Sequence, residues 1–328
     1  MRLVKWIAVV TVLLIVVACA TTAVKMTVKR PAEVNMKNFK KIALGDLTGG
    51  EGDHANDLMD MFTTKLVNSS YFEAVVDRQN LKGILSEHKL SNSGLIDENS
   101  SAQLGQFLGA AALVFGRVST DNYKETVTFE DVVRENYETK QKYNVRVYTR
   151  TGTYTLGVNV RISDVQTAKI IGVKELMSAR YSTKKADNKQ PAAIDVNSLY
   201  TAATNDISNQ FMKLVVPYDV MVEAKFETDA KNLPELGLAI KQVQIGETNE
   251  ALIMFTDATK KPALLPKIQA KAFYNLGLLQ MYVGQCDDSI LNLKEAYKLN
   301  PSSKKYAAAI TTAKQEKTAA DKLKQQTD

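Results

Sequence analysis

Apolar and polar residues alternate along the chain in rhythms that switch from strand to helix and back. Ile42 and Leu44 within KKIALGDL predict a first strand, ended by Gly49-Gly50. From Asp53, placed as a cap, to about Asn68, the residues Leu58, Phe62 and Leu66 recur at i, i+4 and i+8. That is the single apolar stripe of a helix laid on a sheet. Phe72, Ala74 and Val76 alternate with Glu73 and Val75 as in a half-buried strand, and Asp77 stands where it would cap a helix bearing Leu81, Ile84 and Leu85. After a polar turn, Leu104, Phe107 and Leu108 predict another helix, closed by Gly109 in a left-handed conformation. Ala110 to Val118 is almost wholly apolar, the mark of a strand covered on both faces. The order strand, helix, strand, helix, helix, strand is that of an α/β domain.

Between residues 120 and 181 the period becomes two. Tyr143, Val145 and Val147 alternate with Lys142, Asn144 and Arg146, and Tyr154 to Ile162 continues the pattern. SDVQTAK at 163 to 169 reads as a hairpin turn, with Ile170 to Tyr181 as the returning strand. A polar stretch leads to a helix over Val196 to Leu214, with Leu199, Ala202 or Ala203, Ile207 and Phe211 on one face and Pro217 beyond its end. Asp219 to Phe226 is expected to add a last strand to the sheet, with the domain boundary in Glu227 to Asn232.

From Leu233 the pattern is helical and repeats. Phe273, Leu276, Gly277, Gly284, Leu293, Ala296 and Pro301 fall at the spacing of a tetratricopeptide repeat. A weaker copy lies in Leu238, Ala239, Gly246, Ala251, Phe255 and Ala258, offset by 38 residues from Gly246 to Gly284. Tyr306, Ile310 and Ala313 give a following helix one apolar stripe, fit to cap the stack. Such repeats present a concave groove to an extended protein segment. By repeat position, Gln242, Lys271, Tyr274 and Asn275 are the candidate partner-binding residues.

At the N-terminus, Arg2 and Lys5 precede an apolar run of 13 residues, Trp6 to Ala18, and Cys19 follows directly. The run is too short to span a bilayer and has the form of an export signal. Cys19 after a small residue looks like a bacterial lipobox, in which the thiol is acylated and becomes the new N-terminus. With residues 1–18 removed, the formal charge falls from +6 to +4, too mild for a nucleic-acid footprint. Cys286 is then the one remaining thiol, so no internal disulfide is expected. His54 and His88 lie in separate polar contexts, which predicts surface residues and no zinc site. No phosphate loop, nucleophile triad or paired carboxylates at recognisable spacing appears, so a non-enzymatic protein without cofactors is expected.

The segment from Val75 to Ser119 resembles the CsgG family of curli assembly and transport lipoproteins. The resemblance is carried by Asp77, Arg78 and Leu81, by SNSGLIDE, by the AxLGxxLGA pattern through Ala102, Leu104, Gly105, Leu108, Gly109 and Ala110, and by Val114, Gly116 and Val118. GVNVRISDVQTAKII at 157 to 171 is similar to the family's later hairpin. The resemblance implies a periplasmic, lipid-anchored α/β domain at the outer membrane that can assemble into a ring. In the curli channel each subunit also adds two hairpins to a transmembrane barrel. Here TFEDVVRENYETKQK carries charge on both faces and residues 181–196 are short and polar, so the full pore is not expected.

The expected organisation is a signal peptide at 1–18, a lipidated tether at 19–39, a CsgG-like α/β domain with a mixed sheet at 40–228, and an all-α tetratricopeptide-like domain at 229–328. The expected function is assembly or export of a surface structure, through self-association and through envelope or exported proteins bound to the repeats. The alternative is a regulatory or scaffold lipoprotein of a cell-wall synthesis or other envelope complex.

Overall fold

The computed structural model describes residues 21–77, 79–81, 83, 108–109, 111–262 and 264–327. The chain forms two compact units, one over Ala32–Tyr218 and one that joins Asp219–Gln326 to residues 21–31. Strand β1 (Thr21–Arg30) therefore belongs to the second unit.

In the first unit, β2 (Lys41–Thr48), α1 (His54–Ser69), β3 (Ala74–Val76), β4 (Ala111–Glu135), β5 (Lys142–Asp164), β6 (Ile170–Asp187) and α2 (Val196–Val215) follow in chain order. The sheet runs β3-β2-β4-β5-β6. β2 is parallel to both neighbours, and β4, β5 and β6 are antiparallel. One core joins the apolar stripes of α1 and α2 to Leu156, Val158, Val160 and Ile162 of β5. Phe62 and Phe211 stack within it, ring centroids 4.1 Å apart. Ala43, Ala111, Leu113 and Val165 form a second cluster with Leu81 and Leu108. Local signals act as the sequence predicts. Asp77 Oδ1 accepts from the Asn80 N–H at 2.8 Å, Asp195 caps α2 through the Ser198 N–H, and Gly109 has φ +71°. SNSGLIDE, Ala102–Phe107 and His88 lie outside the described residues.

The strands run further than the alternation suggests. β4 and β5 stay paired from Ala112↔Asp164 to Glu135↔Lys142, and β6 follows β5 as far as Asp187↔Val147. β2 leaves β4 at Arg117, so beyond that point three strands form an arm on their own. The segment from Tyr123 to Gly157 is thus one continuous hairpin, and the polar stretch after Tyr181 supplies one strand extension. The charges are balanced across strands: Arg146 pairs with Asp131 at 2.7 Å, Arg150 pairs with Glu125, and Arg134 reaches Asp187. The Arg146 guanidinium also covers the Phe129 ring at 4.6 Å.

The second unit contains β1, β7 (Tyr218–Glu227), α3 (Glu235–Gln244), α4 (Thr248–Thr259), α5 (Pro266–Tyr282), α6 (Cys286–Leu299) and α7 (Lys304–Thr327). Two expectations change here. The segment read as a tether forms a strand over Thr21–Arg30, and β7 pairs with that strand in a separate two-stranded sheet instead of completing the larger one. Burial explains both. Val24, Ala224 and Phe226 enter a core with Leu236, Ala239, Ile240 and Phe255, apolar area that an unstructured tether would leave in water. The helices form two hairpins, α3–α4 and α5–α6, turning at Gly246 (φ +91°) and Gly284 (φ +87°). Gly277 lets α6 approach α5, and the Ser289 hydroxyl donates to the Gly277 carbonyl at 2.6 Å.

Candidate functional site

The residues singled out on α5 face the end of β7. Asn275 is fully buried; its Oδ1 accepts from the Glu227 N–H at 2.8 Å and its Nδ2 donates to the Glu227 carbonyl at 2.7 Å. One helical turn earlier, Lys271 Nζ lies 3.1 Å from Asp229 Oδ2, and the Tyr274 hydroxyl donates to the Lys225 carbonyl at 3.2 Å. From α7, Lys305 pairs with Glu227 Oε1 and the Tyr306 hydroxyl donates to Oε2 at 2.6 Å. The Tyr274 and Tyr306 rings stack with centroids 4.9 Å apart, and Lys305 lies over Tyr274. Spacing explains the convergence: Lys271, Tyr274 and Asn275 stand at i, i+3 and i+4, on one helix face.

Glu227 is only 5% exposed, so its carboxylate is held by two charge-assisted partners while its backbone is held by Asn275. Burial alone would raise the Asp229 carboxyl. Hydrogen bonds from Asn232 and Lys271 and the lysine charge outweigh it and hold the group below its ordinary range. Burial, with the Glu227 charge behind it, raises the Tyr274 hydroxyl, which therefore remains a donor. Chemically this face reads one backbone N–H and C=O pair together with two carboxylates. In the structure this face is occupied by the chain's own strand end. Three of the four candidate residues are engaged there, while Gln242 on α3 is half-buried and is not among the groups that hold β7. Glu227 escapes a sequence reading because it follows Phe226 and breaks the alternation of the strand, Lys305 because it reads as one more exposed lysine, and Tyr306 is legible only as part of an apolar stripe.

A second polar cluster lies at the root of the arm. Asp121, its side chain 4% exposed, accepts from the Glu51 N–H at 2.7 Å, from the Tyr154 hydroxyl at 2.5 Å, and lies 2.8 Å from His54 Nδ1. His54 stacks on Tyr200, whose hydroxyl donates to Asp57 at 2.9 Å. His54 is therefore built into the structure and is not the plain surface residue its polar context suggests. Gly49 and Gly50, both at positive φ, bring the loop before α1 against Val118 and Asp121. Burial tends to raise the Asp121 carboxyl, but the three hydrogen-bond donors and the His54 charge leave it below its usual value. A carboxylate of this kind stabilises the fold above its unfolded pKa of about 3.9, and the contribution is lost as pH falls through the lower folded value. Asp121→Asn is expected to cost about 1–3 kcal/mol at pH 7. In paired urea titrations, the gap from the wild type should narrow steadily as pH drops below about 4.

Among the described residues, no group of three or more His, Cys, Asp or Glu is placed to hold a metal ion, and no helix is long and apolar enough to cross a membrane.

Residues 26–190 match the family model for CsgG, the curli production assembly/transport component. The chain belongs to the CsgG family. The CsgG match covers the first unit from Ala32 through the end of β6, stops before α2, and takes in β1 from Met26. No curated protein matches the sequence. Among solved structures, similarity is found to the PelC dodecamer from Paraburkholderia phytofirmans, 12% identical over 60% of this chain and 99% of that one, with a TM-score of 0.28. Lipoprotein GNA1162 from Neisseria meningitidis is 13% identical over 52% of this chain and 98% of that one, TM-score 0.27. The LpoB C-terminal domain from Salmonella enterica is 13% identical over 45% and 84%, TM-score 0.26.

Proposed function

We propose that this protein is a non-enzymatic, outer-membrane-anchored periplasmic lipoprotein, acylated at Cys19, that self-associates as a component for assembly or export of a cell-surface structure. Membership of the CsgG family supports the setting. The observation that carries the self-association is the arm. Beyond Arg117 the outer edge of β4 has no strand partner among the described residues, and the outer edge of β6 has none from Ile170 to Asp187. Long unpaired edges are templates for another chain. β6 also places Val173, Met177 and Tyr181 on one face, 62%, 47% and 75% exposed. Joining β6 of one copy to β4 of the next uses two different surfaces, the head-to-tail arrangement that closes into rings. The helical unit, tetratricopeptide-like in its two hairpins, supports a role in protein binding. A partner at the Lys271–Asn275 face would have to displace Glu227.

The test is the mass of the detergent-extracted, acylated protein by light scattering. A multi-copy particle is expected, and Met177→Lys with Tyr181→Lys should reduce it to single chains without lowering the melting temperature. A monomeric wild-type protein would end the self-association reading. It would favour a tethered regulator or scaffold of an envelope complex.

A further inference from the structure

We infer that neighbouring copies join arm to arm through a parallel ladder, with Glu130 on β4 of one copy opposite Lys185 on β6 of the next. The inference rests on the proposed self-association and names the joint that makes it. Direction follows from strand number. Each arm contributes three strands, β4, β5 and β6, and each runs antiparallel to the one before it. β4 and β6 of one chain therefore point the same way. In a ring every copy points its arm in one direction, so the two outer strands that meet run parallel. The backbone then limits which residues can stand opposite. The Asn136 N–H turns inward to the Gln141 carbonyl, and the β4–β5 register is unbroken beyond Thr120, so the odd-numbered residues from Tyr123 to Val133 direct their peptide groups outward. On β6 the Asn188 N–H turns inward to the Arg146 carbonyl, while the Met177 carbonyl is met from α2 by the Gln210 amide at 2.9 Å. The odd-numbered residues from Ala179 to Asp187 are thus the outward ones. An outward Lys185 bonds to the outward groups of Phe129 and Asp131, which seats it opposite Glu130. The same parity keeps the faces continuous. Lys185 stands beside Thr149, Thr149 beside Thr128, and Glu130 is two residues from Thr128 on that face.

Charge selects the occupant and the register. From Asn122 to Glu135, β4 carries Glu125, Glu130, Asp131 and Glu135 against Lys124 and Arg134. From Ser178 to Asp187, β6 carries Arg180, Lys184 and Lys185 against Asp187. The two edges are opposite in sign, so each fits the other edge of a second copy and repels its own kind. Asp131 and Asp187 already hold Arg146 and Arg134. Glu130 and Lys185 are exposed and have no ion-pair partner among the described residues. Seated opposite each other they are neutralised, and the same register brings Glu125 beside Arg180 and Phe129 beside Lys184. Opposite charges across a strand pair are stabilising and like charges destabilising. Sliding β4 by two residues one way sets Glu130 against Asp187, a like-charge contact. Sliding it the other way sets Glu130 against Thr183 and Lys185 against Val132, and both charges stay unpaired.

The experiment uses the full acylated chain in detergent, with two added cysteines and a thiol cross-linker of about 5 Å reach, the spacing of neighbouring strands. Cys286 is buried and does not compete. Within one chain β5 separates β4 from β6, so the added thiols lie about 10 Å apart or more and link only between copies. Glu130→Cys with Lys185→Cys, and Lys124→Cys with Ala179→Cys, should each give a ladder of covalent multimers on a denaturing gel. Glu130→Cys with Ala179→Cys, and Lys124→Cys with Lys185→Cys, should give none, because the parallel ladder holds those positions about 20 Å apart. Lys185→Glu should lower the yield of the Lys124→Cys, Ala179→Cys ladder at least threefold, and Glu130→Lys in the same chain should restore it. Ladders from the second set of pairs mean an antiparallel joint and overturn the inference. So does the absence of any ladder in a protein that light scattering shows to be multi-copy, or a Lys185→Glu loss that Glu130→Lys does not reverse; self-association stands in each of these cases. A wild-type protein that is a single chain overturns the self-association reading and this inference together.

Discussion

Asn275→Ala is expected to destabilise the helical unit by about 2–5 kcal/mol. The side chain closes both hydrogen bonds of the Glu227 peptide groups, and its removal strands a donor and an acceptor in a site with no exposure. Each buried group left unpaired costs about 1–3 kcal/mol. The Glu227 carboxylate would still face Lys305 and Tyr306, so the loss falls on the backbone of β7. Amide exchange should show this as faster opening of β7 and β1, with the sheet of the first unit unchanged. Asn275→Asp separates hydrogen bonding from volume. It can still accept from the Glu227 N–H, but it turns an acceptor towards the Glu227 carbonyl and adds a charge beside a carboxylate. It should therefore be at least as damaging as alanine. Gln242→Ala, by contrast, should shift the urea midpoint by no more than about 0.5 kcal/mol in free energy, as surface substitutions do. If Asn275→Ala proved as mild as Gln242→Ala, the strand end would not be held as described.

How far the fold was legible in the sequence depends on which physical signal each element leaves. Helices α1 and α2 announce themselves because one stripe is apolar; Asp195 caps α2 as its position suggests, whereas Asp53 stands at the start of α1 without a side-chain capping bond. The base of β5 does so because Leu156 to Ile162 alternate cleanly. Outside Tyr143 to Val147, the arm is nearly silent for a reason visible in its composition. On one of its faces the cross-strand neighbours are Thr126↔Thr151, Thr128↔Thr149 and Thr151↔Thr183, with Thr151 and Thr183 hydroxyls 3.2 Å apart. Threonine favours strands through its branched β-carbon but does not register as apolar, so a search for alternating hydrophobicity passes over it. The other face is ion-paired, and paired charges read as a solvated loop until their partners are known. The destination of β7 was also hidden. An alternating strand carries no label for its neighbour, and β1 lies nearly two hundred residues away. At the site, position on α5 singled out Lys271, Tyr274 and Asn275 as one inward face. It could not show that the face is filled by Glu227, because that depends on where the end of β7 lies within the second unit.

Gly116→Ala is expected to cost about 3 kcal/mol or more, a large effect for one methyl group. Gly116 lies in β4 opposite Val160, next to the point where β2 leaves the sheet. A β-carbon there would stand 2.0 Å from the Asn159 carbonyl oxygen, with the Leu47 side chain also at 3.2 Å. The obstacle is backbone of the paired strand, so relief requires β4 and β5 to separate at the root of the arm. Overpacking of this kind costs about 1–3 kcal/mol where side chains can yield, and more where they cannot. Two other glycines calibrate the prediction. At Gly45 the nearest backbone atom, the Val114 carbonyl oxygen, is 3.2 Å from the added carbon, a distance that small shifts absorb. At Gly152 the crowding atoms are the far end of the Tyr123 side chain, not backbone, and a side chain can yield at the cost of its bond to Glu125. Urea titrations should therefore rank Gly116→Ala well below Gly152→Ala, with Gly45→Ala nearest the wild type. The Gly116 variant should also expose the β4–β5 hairpin to protease at its base before the helical unit is cut. A Gly116→Ala protein within about 0.5 kcal/mol of the wild type would show that the strand approach described here is not part of the folded chain. The same close approach is what allows β4 and β5 to leave the core as one paired ribbon. Loss of stability and loss of multi-copy assembly are thus expected to appear together in this variant, whereas Met177→Lys with Tyr181→Lys should lose assembly alone.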